Sequence, residues 1–313
     1  MNNTQISKEE IIFEVLQATG LNWKARKESL TTESGLILPD IYGVTRSDNG
    51  GYIGHVGDRY EFLQNHELVE ICYESGKEVF DAGLQLKHPW NNAESLGSYG
   101  NMGGGSLKGG SRVFVQMELP ELTIGKSGVN RYITVTNAHD GSISLGFGTS
   151  IQVICCQNTF NIANKDVSKI RHTASMQQRI DEAVKSLRSV LQFEDKQMEV
   201  YEIASNRRYD KKHIEDIVQA VFGKVELKGN NVSTRTKNQL AQFASDIHQS
   251  VNEQGETLWA LFNGVTRYTN HSTTTKDKDF SLMFGSDAQA NQRAFETMLG
   301  WINEPLLSEL VLN

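Results

Sequence analysis

The chain has 313 residues, 38% hydrophobic and 22% charged, with only 4 prolines; this suits a compact protein with a sizeable core and excludes a disordered or fibrous one. Its formal net charge of −7 gives the surface as a whole no attraction for polyanions, so any nucleic-acid contact must come from a local basic patch. No run approaches the roughly 18 apolar residues of a membrane span, and the opening MNNTQISKEEII lacks the basic-then-apolar layout of a secretory leader, so a cytoplasmic protein with no membrane partner is expected.

In SKEEIIFEVLQATG, Ser7 and Glu10 sit at capping-box spacing, apolar residues recur at helical intervals and Gly20 supplies a stop, which predicts a short amphipathic helix. From Leu36 the pattern turns to β-formers flanking SDNGG and then VGD, which predicts a β-meander. NHELVEICYESGKEVF reads as a helix capped by Asn65, with Leu68, Ile71, Cys72 and Val79 facing the sheet.

The stretch GSYGNMGGGSLKGG, residues 97–110, is the richest in glycine and precedes the strand SRVFVQMEL. It lacks the Gly-Lys-Ser/Thr opening of a helix that a phosphate cradle requires, which leaves a mobile loop as the expectation. GKS at 125–127 has Pro120 where a Walker loop needs glycine, and it reads as the turn between that strand and NRYITVTN. AHDG, residues 138–141, then connects NRYITVTN to SISLGFGTSIQVICC, with Asp140-Gly141 supplying tight-turn geometry and making His139 a turn residue. Gln157, Asn158 and Thr159 follow at a chain reversal, either satisfying backbone groups or contacting a ligand.

Three cysteines, Cys72, Cys155 and Cys156, form an odd number with two adjacent. That spacing fits neither a disulfide framework nor a tetrahedral metal site, so no disulfide, metal or cofactor is expected. His139 and Asp140 lack a neighbouring nucleophile and an orienting third group, which argues against catalysis.

After the strands, residues 165–208 contain neither Pro nor Gly, with Met176, Ile180, Val184, Leu187, Leu191, Met198 and Tyr201 at helical spacing. Further helices are predicted at KKHIEDIVQAVFG, TKNQLAQFASDIHQSVNEQG, TLWALFNGVTRYTNH and ANQRAFETMLGWI. The class is α+β: an antiparallel sheet with hairpins packed by helices, followed by a mostly helical C-terminal part. The division falls at 1–160 and 161–313, and no Pro- or Gly-rich linker prevents the two parts from forming one continuous domain.

The blocks GVTRSDNGGYIGHVGDRYEFLQNHEL, GGGSLKGGSRVFVQMELP, ITVTNAHDGS, VICCQNTF, TLWALFNGVTRYTNH and LMFGSDAQANQRAFETM, in this order, resemble those of the phage/plasmid-like proteins known as domain of unknown function 932. The glycine expansion near Gly103 and the doubled cysteine depart from the usual pattern. The resemblance implies a gene carried by phages, prophages or plasmids, and brings no catalytic residues with it. HDGSISLGFG before a long basic-studded helix also resembles the strand-then-helix core of eukaryotic single-strand annealing recombination proteins.

The function expected is therefore non-catalytic binding of single-stranded DNA by an oligomeric annealing or replication factor of a mobile element. The candidate contacts are Lys108 and Arg112 beside the glycine stretch, His139 and Asn158, and Lys165, Lys169, Arg171 and Arg179 at the start of the long helix. The alternative is a phage or plasmid protein that binds a host protein.

Overall fold

A computed structural model describes residues 7–80, 102–153, 158–162, 175–223 and 233–302. The α+β class is as expected: antiparallel strands dominate the first half and helices the second. The expectations for Cys155, Cys156, Gln157, Lys165, Lys169 and Arg171 fall outside the described residues.

The first helix, α1 (Lys8–Ala18), begins with the full capping box: Ser7 Oγ accepts from Glu10 N and the Glu10 carboxylate accepts from Ser7 N. A three-stranded antiparallel sheet follows, in the order β1 (Ala25–Thr31), β2 (Ile37–Arg46), β3 (Tyr52–Gly57). The sequence pattern had indicated β2 and β3 only. The segment ARKESLT carries no apolar alternation, and β1 exists because its backbone pairs with β2, from Ala25 opposite Arg46 to Thr31 opposite Ile37.

The second helix, α2, spans Asn65–Phe80. Asn65 is not its cap, contrary to expectation. Gln64 takes that place, its N–H donating to Glu67 Oε2 at 2.7 Å and its carbonyl accepting from Leu68 N at 3.0 Å. This frees the Asn65 side chain for the interior. Leu68, Ile71 and Cys72 are fully buried, and burial pushes the Cys72 thiol far above its ordinary range, so it is an inert core group.

The second sheet has five strands in the order β4 (Met102–Leu107), β5 (Arg112–Ile124), β6 (Ser127–Ala138), β7 (Gly146–Val153), β8 (Asn158–Ile162). Within the described part of the glycine stretch, MGGGSL is a strand and not a loop, pairing with β5 from Met102 opposite Met117 to Leu107 opposite Arg112, and KGG is the turn between them. Its glycines serve close approach, since a Cβ on Gly104 would lie 2.3 Å from the Phe114 carbonyl oxygen. GKS and HDGS both fall at strand connections, as the turn chemistry indicates, with Gly125 at φ 58° and Gly141 at φ 71°.

The long helix α3 covers Met176–Asn206, and α4 (Lys211–Phe222), α5 (Thr234–Gln254) and α6 (Leu258–Arg267) follow. A π-helical turn, Tyr268–Ser272, continues α6, and α7 (Lys278–Phe284) and α8 (Ser286–Ile302) complete the described chain. The sequence periodicity had not indicated α7, which is only 7 residues long. No helix among the described residues is long and apolar enough to cross a membrane.

Contacts divide the chain into two compact units. One takes Met1–Leu119, Tyr132–Gly148 and Asp166–Val190; the other takes Pro120–Arg131, Thr149–Lys165 and Leu191–Asn313. In the second unit, Tyr201, Trp259, Phe262 and Phe295 form an aromatic core, with Tyr201 and Phe262 stacked at 5.8 Å. Helix α6 is buried on every side, and Gly264 lets α5 come close: a Cβ there would lie 2.7 Å from Ile247 Cα.

Candidate functional site

The first unit gathers sequence-distant groups around the HDGS connection. His139 is fully buried; its ring meets Trp23 edge-on at 5.2 Å and Phe62 at 6.3 Å. Its Nε2 lies 2.9 Å from Asn65 Oδ1. Asn65 Nδ2 donates to the carbonyls of Leu21 at 3.0 Å and Trp23 at 3.1 Å. Those two bonds orient the amide, so its oxygen faces the imidazole and His139 Nε2 carries the proton that it donates. Nearby, Asn137 Nδ2 donates to Leu63 O at 3.0 Å and Tyr60 Oη to Ala138 O at 2.8 Å. Burial, then the Asp140 carboxylate, push the Tyr60 phenol up to about 12 against a hydrogen bond from Gly141 N–H.

Cations lie beside this polar knot. The Arg46 guanidinium sits over the Trp23 ring at 4.5 Å and its Nη1 donates to Gly109 O at 3.4 Å. Arg46 also grips Asp48 through Nε at 3.0 Å and Nη2 at 2.7 Å, and that hydrogen bonding holds the Asp48 carboxyl below its ordinary range. The turn that Arg46 touches, Lys108–Gly110, carries positive φ at three successive residues, 49°, 67° and 110°. Lys108 is exposed at its tip, while Arg112 just beyond is half-buried and donates through Nε to Ser142 Oγ of the HDGS connection at 3.3 Å. Arg46, Lys108 and Arg112 therefore share one corner.

Of the residues expected from sequence, Lys108 and Arg112 come together there. His139 belongs to the same corner but is interior to it, tied through its backbone N–H to Ser111 O at 2.8 Å, and is no solvent-facing turn residue. Asn158 opens β8 opposite Val153, in the second unit. Arg179 lies in the first turn of α3, buried, with Nη1 3.5 Å from Glu67 Oε1 of α2. Arg46 was missed: in GVTRSDNG it reads as a strand-end residue, and only folding brings it to residues 108–112.

A second polar cluster, which periodicity did not flag, surrounds the π turn of the second unit. Ser272 Oγ donates to Asp246 Oδ2 at 2.6 Å, and Arg267 Nε stands 3.8 Å from Asp246 Oδ1. Thr269 Oγ1 donates to Asn291 Oδ1 at 2.9 Å and Thr273 Oγ1 to Asp287 Oδ2 at 3.1 Å. Asp246 and Asp287 are both buried. Burial first, then those two carboxylates, raise the Tyr268 phenol above its usual range. The available signal was the placing of Asn263, Thr266 and Thr269 at intervals of three from a helix that is apolar at Leu258–Phe262. A π turn of this kind frequently marks a functional segment. Among the described residues, no cluster of His, Cys, Asp or Glu is placed to hold a metal ion.

These two units define an α+β protein whose signature segments, HDGS and TRYTNH, each lie at a polar knot. The family described as Domain of unknown function (DUF932) matches residues 97–294, and the chain belongs to that family. No curated protein and no solved structure matches the chain.

Proposed function

We propose that this chain binds single-stranded nucleic acid as an annealing or replication-associated factor of a phage, prophage or plasmid. The observation that carries the reading is the corner where Lys108 projects from a positive-φ turn, with Arg46 on one side and Arg112 on the other. A net charge of −7 demands local cations of this kind. Contacts with Trp23, Asp48 and Gly109 hold Arg46 and a hydrogen bond to Ser142 holds Arg112, so little side-chain entropy is lost when a phosphate arrives. In this reading the buried His139–Asn65 pair positions the corner and does not touch the strand. Lys165, Lys169 and Arg171, expected from the sequence, are further phosphate contacts in this reading, and self-association lays one strand over several copies.

A labelled oligonucleotide titrated at two salt concentrations tests this. Lys108→Ala with Arg112→Ala is expected to weaken binding and lower the salt slope by roughly one to two, with folding unchanged. Lys169→Ala with Arg171→Ala is expected to act likewise. Absence of measurable affinity at low salt removes the reading. It then passes to the second one, a host-protein partner, which is favoured by the exposed side chains of Leu36, Ile37, Ile41 and Tyr52 on β2, β3 and their connection to β1.

A further inference from the structure

We infer that four oxygens at the end of the π turn form a monovalent-cation site, which the chain fills with its own Lys278 ammonium. Nζ of Lys278 donates to the carbonyl of Thr269, to the carbonyl of Thr273 at 3.3 Å, to Thr273 Oγ1 at 2.5 Å and to Asp287 Oδ2 at 3.3 Å. These oxygens come from the π turn, from the residue that ends it and from the first turn of α8.

The number and kind of the oxygens identify the ligand. An ammonium has three N–H donors, so four acceptors exceed its hydrogen-bonding capacity and instead surround it as they would a spherical ion. Two carbonyls, a hydroxyl and a single carboxylate form a hard set carrying one negative charge. That set balances one positive charge, whereas calcium takes six to eight oxygens, usually with several carboxylates. Backbone carbonyls replacing a hydration shell are how proteins hold potassium, an ion of ammonium-like character.

The site also has a structural task. Carbonyls at the end of a helix have no partner further along it, and a cation there is favoured by the helix dipole. Asp287 is 3% exposed, so without Lys278 its carboxylate would lie buried beside hydroxyls alone. Lys278 is the first residue of α7, and Asp277 before it caps that helix by accepting from Phe280 N at 3.0 Å. The ammonium thus ties α7, the π turn and α8 together at one atom.

Chemical complementation tests the inference. The full chain carrying Lys278→Ala is melted at one ionic strength in ammonium, potassium or tetramethylammonium chloride. In tetramethylammonium its melting temperature is expected to fall by roughly 5 °C or more. Ammonium or potassium, small enough for the cage, should return at least half of that loss by binding the folded state. The unaltered chain should melt alike in all three salts. Lys278→Met, whose side chain fills the space without charge, and Lys278→Ala with Asp287→Asn should both be indifferent to the cation. Equal melting of Lys278→Ala in the three salts overturns the site, as does equal rescue of Lys278→Met. Should Lys278→Ala be isolated unfolded, refolding yield in the three salts becomes the readout, and equal yields overturn it as well.

Discussion

Around His139, the interior groups are an imidazole, two amides, a phenol and backbone carbonyls, with Arg46 and its partner Asp48, Lys108 and Arg112 at the rim. Around the π turn two carboxylates go inside, Asp246 set against the half-buried Arg267 and Asp287 against the half-buried Lys278. An amide is satisfied by hydrogen bonds alone, as Asn65 is by two carbonyls and the imidazole. Each buried carboxylate asks for a full counter-charge and is costly when left alone. The first knot is therefore held by hydrogen bonds among amides, an imidazole and a phenol, while the second pairs its carboxylates with its own cations.

The largest effect that distinguishes them should come from Asp287→Ala, which strands the Lys278 ammonium and its three remaining acceptors. Urea unfolding is expected to show a loss of about 3–5 kcal/mol, whereas a loss below about 1 kcal/mol would make the pair an ordinary surface contact and end the contrast. Adding Lys278→Met to that change should restore part of the loss, because the stranded charge is gone.

Asn65→Ala comes next. It removes the acceptor of His139 Nε2 and the donor to the Leu21 and Trp23 carbonyls, and about 2–3 kcal/mol should be lost. Asn65→Asp, which keeps an acceptor but loses both donors, should cost at least as much. Recovery of full stability in Asn65→Asp would mean that the imidazole is the only partner that matters.

Alkaline titration gives a smaller effect. The Tyr60 phenol ionises at about 12 in the folded protein against an ordinary 10, so folding favours its neutral form. The stabilisation is fully present below pH 10 and fades as the pH rises through 12, amounting to about 1 kcal/mol once partial exposure is allowed for. Absorbance of tyrosinate should show late-titrating phenols, Tyr268 among them, and Tyr60→Phe should remove one of these. Smallest of all, Lys108→Ala with Arg112→Ala should change stability by no more than about 0.5 kcal/mol, since the Arg112–Ser142 hydrogen bond that is lost is long and lies at the surface. A larger loss would move those side chains from the ligand's account to the interior's.

The reach of sequence reading differs between these regions for a physical reason. Capping at Ser7 and turns at Gly125 and Gly141 are local: donor, acceptor and backbone conformation lie within a few residues, so the residue types alone reveal them. The strand β1 was invisible because its stability comes from pairing with β2 and not from its own pattern. The glycines of β4 look like loop chemistry until the neighbouring strand is seen at 2.3 Å from the missing Cβ. Of the candidate interface, Lys108 and Arg112 were legible as cations beside a glycine run. Arg46 was not, because 62 residues separate it from Lys108 along the chain.

By itself the sequence determined the α+β class, the helical periods, the strand connections and the absence of a general basic surface, all of which follow from short-range patterning and summed charge. Only the tertiary structure decided which polar residues face inward. His139 and Arg179 have the chemistry of surface contacts, yet one is sealed by Trp23, Phe62 and Asn65 and the other lies against Glu67. Asp246, Asp287 and Lys278 read as solvated charges on separate segments, yet both carboxylates are buried and the half-buried Lys278 meets Asp287, because the π turn brings their helices to it. A side chain's type sets which partners can satisfy it, and the long-range fold sets whether those partners are water or protein.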